Sequence, residues 1–212
     1  MSSTIIEKLA WRYATKKFDS TKKLSEEKLT ILKEAFRLTA TSYGLQPLKM
    51  VVINNTALQK KLVPFTHEQQ QVADASHVLV LCTENEITSN YIKRYFEKVE
   101  KTRNTPRAIL HPFELYLIDS FSEKTNDEIH TWMAKQAYIA LGNLLTVCAH
   151  EQIDSCPIEG FDPEKYDDFL ALGTRGLRSV LVLAVGYRAQ DDLHATLKKV
   201  RRSESEIIVE ID

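Results

Sequence analysis

Apolar positions along this chain switch between helical and strand spacing. Ile5, Ile6, Leu9, Ala10 and Tyr13 share one side of a 3.6-residue turn, which predicts an opening amphipathic helix ending between Trp11 and Thr15. Ser25 is a good N-cap, and Glu26 and Glu27 suit the positive end of a second helix. Leu29, Leu32, Ala35, Phe36 and Thr39 form its buried stripe, and Tyr43-Gly44 and Gln46-Pro47 break the pattern. Lys49 to Asn54 reads as a strand and Thr56 to Leu62 as a helix. The continuous apolar run from His77 to Thr83 predicts a buried central strand. Ser89 to Lys101 is a charged helix interleaved with Tyr91, Tyr95 and Phe96. Residues 102–112, with Asn104, Pro106 and Pro112, read as a loop.

Glu128 to Glu151 is the longest helical stretch. Trp132, Ala137, Ala140, Leu141, Leu144, Leu145 and Cys148 make it apolar around much of its circumference, which predicts a central helix. Ile153 to Cys156 is a short strand. Asp162-Pro163 opens another helix, with an aspartate cap and proline in the first helical position. Ser179 to Tyr187 is a second buried strand. The tail Glu206 to Ile211 forms strand readily but has no partner beside it in sequence, so it needs an edge elsewhere. Helices and strands mix without a linker or repeat, which predicts one α+β domain over residues 1–212.

Composition narrows the function. With 28 basic and 29 acidic residues, the net charge of −1 gives no support for nucleic acid or an anionic membrane as partner. Charge interrupts any apolar run at the N-terminus, and nothing approaches the ~20 apolar residues of a membrane span. Cys82, Cys148 and Cys156 lack CxxC spacing, which suits reduced thiols and a cytoplasmic location. The six histidines include no HExxH, so no metal site is expected, and GxGxxG and the P-loop pattern are both missing.

Three distant stretches carry the chemistry: Arg12-Tyr13-Ala14-Thr15-Lys16, Pro157-Ile158-Glu159-Gly160-Phe161, and Lys198-Lys199-Val200-Arg201-Arg202. The basic run alone also reads as a solvated face, and the proline and glycine alone as a strand followed by a turn. In their order and spacing, together with Ser42-Tyr43-Gly44 and Trp132-Met133-Ala134-Lys135-Gln136, they resemble the nitroreductase family of FMN-dependent NAD(P)H oxidoreductases. The resemblance covers nearly the whole chain. It implies an α+β fold with a central, mostly antiparallel sheet flanked by helices. It also implies a homodimer in which about residues 200–212 cross onto the partner's sheet.

The resemblance assigns roles residue by residue. Arg12, Lys199 and Arg201 match the phosphate cluster, where arginine's planar fork suits a phosphate. Tyr13, Ala14 and Thr15 belong to the same segment. Lys16 matches the cation beside flavin N1 and O2, which offsets charge gained on reduction and gives electrostatic support rather than acid–base catalysis. Pro157, Ile158, Glu159 and Gly160 match the ring-edge segment, with backbone N–H groups near Glu159 and Gly160 facing N5 and O4. Thr41, Ser42 and Gly44 match contacts made from the partner subunit. Gln69 and Gln71 match donors at the pyrimidine edge, although a polar helix surface explains them equally well. Trp132, Lys135 and Gln136 read mainly as packing and dimer contacts.

Departures from the family pattern carry expectations of their own. Many members have serine where this chain has Ala14, which removes one phosphate hydrogen bond worth roughly 1.5–3 kcal/mol. Glu68 replaces an asparagine, and an ionised carboxylate cannot donate. Gln71 stands where a lysine is common, which implies a lower flavin potential. The implied activity is reduction of nitroaromatic or quinone acceptors by NADH or NADPH, in ping-pong fashion, with the aromatic 102–121 segment gating acceptor size. The alternatives are a flavin carrier, sensor or regulatory protein, and a specialised chemistry such as dehalogenation or flavin fragmentation. Lys93, Arg94, Arg103 and Arg107 are charged candidates near the gate.

Overall fold

The structure, a computed structural model, describes residues 4–211. Four antiparallel strands form its sheet: β1 (Leu48–Ile53), β2 (His77–Glu84), β3 (Asp154–Ile158) and β4 (Leu177–Gly186), in the order β1-β2-β4-β3. The apolar runs of β2 and β4 fill the two central places, where both faces are covered. Alternation along β2 sends Val78, Val80 and Cys82 into one core and Leu79 and Leu81 into the other. A bulge between Leu81 and Cys82 shifts the register to β4, so that Val180 and Leu181 both face the second core.

Helix α1 (Thr4–Trp11) buries none of its residues. Helix α2 (Glu26–Arg37) starts at Ser25, whose hydroxyl accepts from Lys28 N. It packs with the 25-residue α7 (Asn126–His150) against one sheet face. Thr125 and Glu128 close a capping box at the start of α7. The other face is covered by α3 (Thr56–Leu62), α4 (Gln71–Asp74) and α8 (Pro163–Phe169). A third core joins α5 (Ser89–Arg103), α6 (Arg107–Ser122) and the first half of α7.

Two expectations are corrected. Residues 102–112 are not a loop: Asn104 ends α5 in the left-handed region, Pro106 caps α6, and α6 runs through Pro112. Pro112 removes one helical hydrogen bond, yet burial of Leu117 and Phe121 against Ile92, Phe96 and Met133 holds the helix. The tail is not a strand within one chain: it forms a single helical turn, α9 (Glu204–Ile207), and then extends from Ile208. Smaller differences fall at element ends. Tyr13 and Thr39 lie beyond their helices, and β3 continues through Pro157 as an edge strand, where the missing N–H is tolerated. No helix among the described residues is long and apolar enough to cross a membrane.

Candidate functional site

The segment after α1 lies along the outer edge of β3. Ala14 bridges Ser155 in parallel, and Thr15 N donates to Ser155 O at 3.1 Å. Buried Asp192 holds this segment from the far end of the chain. Its Oδ2 accepts from Tyr13 Oη at 2.8 Å, Lys16 N at 3.0 Å and Lys17 N at 3.1 Å, while Oδ1 accepts from His194 N. Burial alone would raise the Asp192 pKa, but donation from Tyr13, Lys16, Lys17 and His194 holds it below the ordinary aspartate value. Beside it, Arg188 stacks over Trp11 and Tyr13, 4.4 and 4.6 Å from their ring centres. Its guanidinium pairs with buried Asp154 at 2.6 Å.

These anchors bring cations together. Lys199, an exposed residue, has its pKa lowered by partial desolvation first and then by the positive charges of Arg12, Arg201 and Arg188, which come from three parts of the sequence. Among the described residues, no carboxylate pairs with Arg12, Lys199 or Arg201. Arg12 Nε is buried without an acceptor. Unpaired basic side chains of this kind suit an anion, and arginine's planar fork fits a phosphate. Thr15 Oγ1 is likewise buried without a partner, beside the position where Ala14 lacks a hydroxyl.

The ring-edge segment follows directly. Burial raises the pKa of the Cys156 thiol, and the charge of Lys16 pulls it partly back. Glu159 and Gly160 leave the sheet exposed. Among the described residues, neither backbone N–H is taken by a hydrogen bond, so two donors stand free. Gln69 Nε2 donates to Gly160 O at 2.9 Å, which ties the 67–71 turn to this segment. A Cβ built on Gly160 would lie 3.4 Å from Gln69 Nε2, an ordinary contact, so packing within the chain does not demand glycine there. Gln71 opens α4, and Glu68 is exposed with φ of 60°. Free donors beyond β3, and basic residues on the segment that bridges its outer edge, suit the ring edge and the phosphate of FMN.

Thr41, Ser42 and Gly44 make their contacts elsewhere. Buried Gln136 accepts from Ser42 N at 2.8 Å, and Tyr43 stacks on Trp132. This confirms the packing role read for Trp132 and Gln136, while Lys135 is exposed. Tyr43 and Gly44 both have positive φ, and a Cβ on Gly44 would fall 2.4 Å from Tyr95 Oη. None of the hydrogen bonds of Thr41, Ser42 or Gly44 reaches residues 12–16 or 157–160. One chain therefore does not join this turn to the cation cluster.

Sequence reasoning passed over Asp154, Arg188 and Asp192, which organise the cluster, and Tyr138, whose hydroxyl donates to Glu159. Their partners lie far away in sequence, so no local spacing marks them. Among the described residues, no group of three or more His, Cys, Asp or Glu is placed to hold a metal ion.

The architecture is an antiparallel α+β sheet flanked by helices, with the candidate site along its edge strand, and comparison with known proteins gives its family. The model of the Nitroreductase family matches residues 9–187. The chain is 36% identical to the Staphylococcus epidermidis protein named "Putative NAD(P)H nitroreductase SERP2086", over 98% of this chain and 97% of that one. A Staphylococcus haemolyticus protein of the same description is 33% identical, over 98% of this chain and 97% of its own. Among solved structures, ydfN from Bacillus subtilis superposes with a TM-score of 0.86 at 16% identity, covering 97% of this chain and 98% of that chain. An Exiguobacterium sibiricum protein solved in complex with FMN superposes at 0.83 with 20% identity, covering 100% and 99% of the two chains. The chain belongs to the nitroreductase family.

Proposed function

We propose that this chain is an FMN-dependent NAD(P)H oxidoreductase that reduces nitroaromatic and quinone acceptors. The observation that carries the reading is the buried, unpartnered Arg12 Nε beside the segment that bridges β3, with Lys199 and Arg201 also without carboxylate partners among the described residues, and two free N–H groups beyond the end of β3. The names of the staphylococcal relatives and the FMN complex of the Exiguobacterium protein support it.

In this reading Arg12, Lys199 and Arg201 hold the FMN phosphate, with Tyr13, Ala14 and Thr15 lining its approach. Pro157 and Ile158 run along the ring, and the N–H groups of Glu159 and Gly160 face its N5 edge. FMN held there would supply two-electron redox chemistry, by which a hydride from NADH or NADPH would be passed on to an acceptor. Lys16 offsets the negative charge that reduction builds on the pyrimidine end. Gln69 and Gln71 bound the same edge. NAD(P)H and the acceptor use one opening in turn, which is the ping-pong order.

The functional unit is a cytoplasmic homodimer of a single domain, residues 1–212, of which 1–3 and 212 lie outside the described residues. Thr41, Ser42 and Gly44 complete the site of the opposite subunit. About residues 200–212 reach the partner's sheet at the outer edge of β1, which has no strand partner among the described residues. A groove of about 470 Å³ beside that edge is lined by Arg37, Lys49, Glu84, Arg94 and Lys98; Arg37 and Lys49 are paired with Glu34 and Glu84, while Arg94 and Lys98 pair with no carboxylate among the described residues and suit the acidic tail. The face of α6 that exposes Ile109, Phe113 and Tyr116 gates the acceptor.

An anaerobic visible spectrum tests the function. Flavin absorption that bleaches with NADH or NADPH and returns with a quinone or nitroaromatic supports it. Flavin that stays oxidised with both donors supports instead a carrier or sensor, the reading that Ala14 and Glu68 favour. A protein that takes up no FMN overturns both.

A further inference from the structure

Glu159 and Gly160 stand beyond the last ladder pair of β3, Ile158 with Val182, so the sheet does not fix them. Two side chains do. Gln69 Nε2 holds the Gly160 carbonyl at 2.9 Å, and Tyr138 on α7 donates its hydroxyl to Glu159 Oε1. The turn is closed by Phe161 N donating to Glu159 O at 2.9 Å, and Asp162 N donates to Phe65 O at 2.8 Å. The Glu159 carboxylate thus lies within one residue of two free N–H donors, and its direction depends on the bond to Tyr138.

A free carboxylate at this place has two ways to interfere. It can turn back and accept from its own segment's N–H groups, which would occupy them. Its charge also opposes any negative charge that develops close by. Donation from a phenol draws the carboxylate toward α7 and spreads its charge, and hydrogen bonds to ionised groups are the strong kind. The donated bond also raises the Tyr138 pKa, with burial adding to it, so the phenol remains a donor at ordinary pH.

We propose that Tyr138 is a positioning residue for the flavin edge: it holds the Glu159 carboxylate away from the Glu159 and Gly160 N–H groups, keeping them open and the bound flavin easier to reduce. This rests on the FMN reading above. Tyr138 touches neither cofactor nor acceptor in this account and acts through Glu159.

The test is a double-mutant cycle on the FMN-loaded protein, read by spectroelectrochemical midpoint potential, FMN dissociation constant and melting temperature. Tyr138→Phe is expected to shift the reduction equilibrium toward oxidised flavin by roughly tenfold, the scale of one hydrogen bond to a charged group. Glu159→Gln removes the charge and shifts it the other way. In the Glu159→Gln background, Tyr138→Phe is expected to leave the potential unchanged. Equal potentials for wild type and Tyr138→Phe, both fully loaded, overturn the proposal and leave the FMN reading intact. A Tyr138→Phe effect that persists in Glu159→Gln also overturns it, because the tyrosine then acts by another route. If Tyr138→Phe does not fold, Tyr138→Leu is read in the same way: a potential equal to that of wild type, with both proteins fully loaded, overturns the proposal. Wild-type protein that takes up no FMN overturns the functional reading and this proposal with it.

Discussion

Tyr13 and Asp192 are 179 residues apart and meet through a hydrogen bond of 2.8 Å. That bond, with those from Lys16 N and Lys17 N to the same carboxylate oxygen, fixes the path of the first motif against the end of the sheet. Asp192→Ala leaves these part-buried donors without an acceptor. Unsatisfied buried groups cost roughly 1–3 kcal/mol each, and partial access to water relieves some of that, so a loss of roughly 2–4 kcal/mol is expected in urea unfolding. The pH dependence follows from the depressed Asp192 pKa. The folded state binds this proton less readily than the unfolded chain. The contribution is therefore complete above the ordinary aspartate value of about 4 and is lost as pH falls through the lower folded value. Asp192→Asn, which has no carboxylate to protonate, should show a flatter fall in melting temperature below pH 5. An identical fall in wild type and variant would remove Asp192 from the account.

The cation cluster makes a prediction about ligand chemistry. If Arg12, Lys199 and Arg201 bind the phosphate, Lys199→Ala should weaken FMN binding by roughly 10- to 100-fold, the span of one charged hydrogen bond. Riboflavin has the same ring and no phosphate, so its affinity should stay within about twofold. Titrations by flavin fluorescence at two salt concentrations would check this. The FMN penalty should shrink at high salt, since the cluster is partly exposed to solvent. Equal losses for FMN and riboflavin would place Lys199 away from the phosphate.

How far the chain could be read in advance depends on where each signal lies. Strands β2 and β4 and helix α7 were legible because burial on both sides leaves an uninterrupted apolar pattern, and caps such as Ser25 and Asp162 mark helix starts locally. Helix α6 was not, because Pro106 and Pro112 are local breakers while the burial of Leu117 and Phe121 that holds the helix is tertiary. The same division runs through the site. Arg12, Lys16, Gly160 and Lys199 stand out by motif, while Asp154, Arg188 and Asp192, which hold the first motif's segment, become visible only once distant segments meet. Thr41, Ser42 and Gly44 were assigned to the site by resemblance, and within one chain they pack against α5 and α7 instead.

Gln71 offers a change that should raise function-related potential. It opens α4, next to the 67–70 turn that is tied to Gly160. A neutral amide there stabilises a reduced, anionic pyrimidine less than an ammonium does. Gln71→Lys is therefore expected to raise the midpoint potential of bound FMN and speed reduction by NAD(P)H. An exposed or half-exposed charge a few ångströms from the ring is worth roughly 1 kcal/mol, about fivefold in the reduction equilibrium. Spectroelectrochemical titration measures it directly. An unchanged potential would mean that residue 71 does not face the flavin.

The tail exposes Ile207, Ile208, Val209 and Ile211 at 55%, 50%, 85% and 92% of their full area, which a soluble chain seldom leaves uncovered in a row. Glu204 and Glu206 precede them and Glu210 lies among them, opposite in sign to Arg94 and Lys98, which line the groove beside β1 and pair with no carboxylate among the described residues. A chain ended after Arg202 keeps Lys199 and Arg201 but lacks this segment. It should sediment at half the mass of the full chain, or form a dimer that dissociates at micromolar concentration. Because Thr41, Ser42 and Gly44 belong to the opposite subunit's site in this reading, FMN affinity should fall with dimer content and recover as protein concentration rises. Charge reversal at Arg94 and Lys98 should weaken the full-length dimer in the same direction, more at low salt than at high salt. A truncated chain that remains a stable dimer with unaltered FMN affinity would show that the tail does not carry the association.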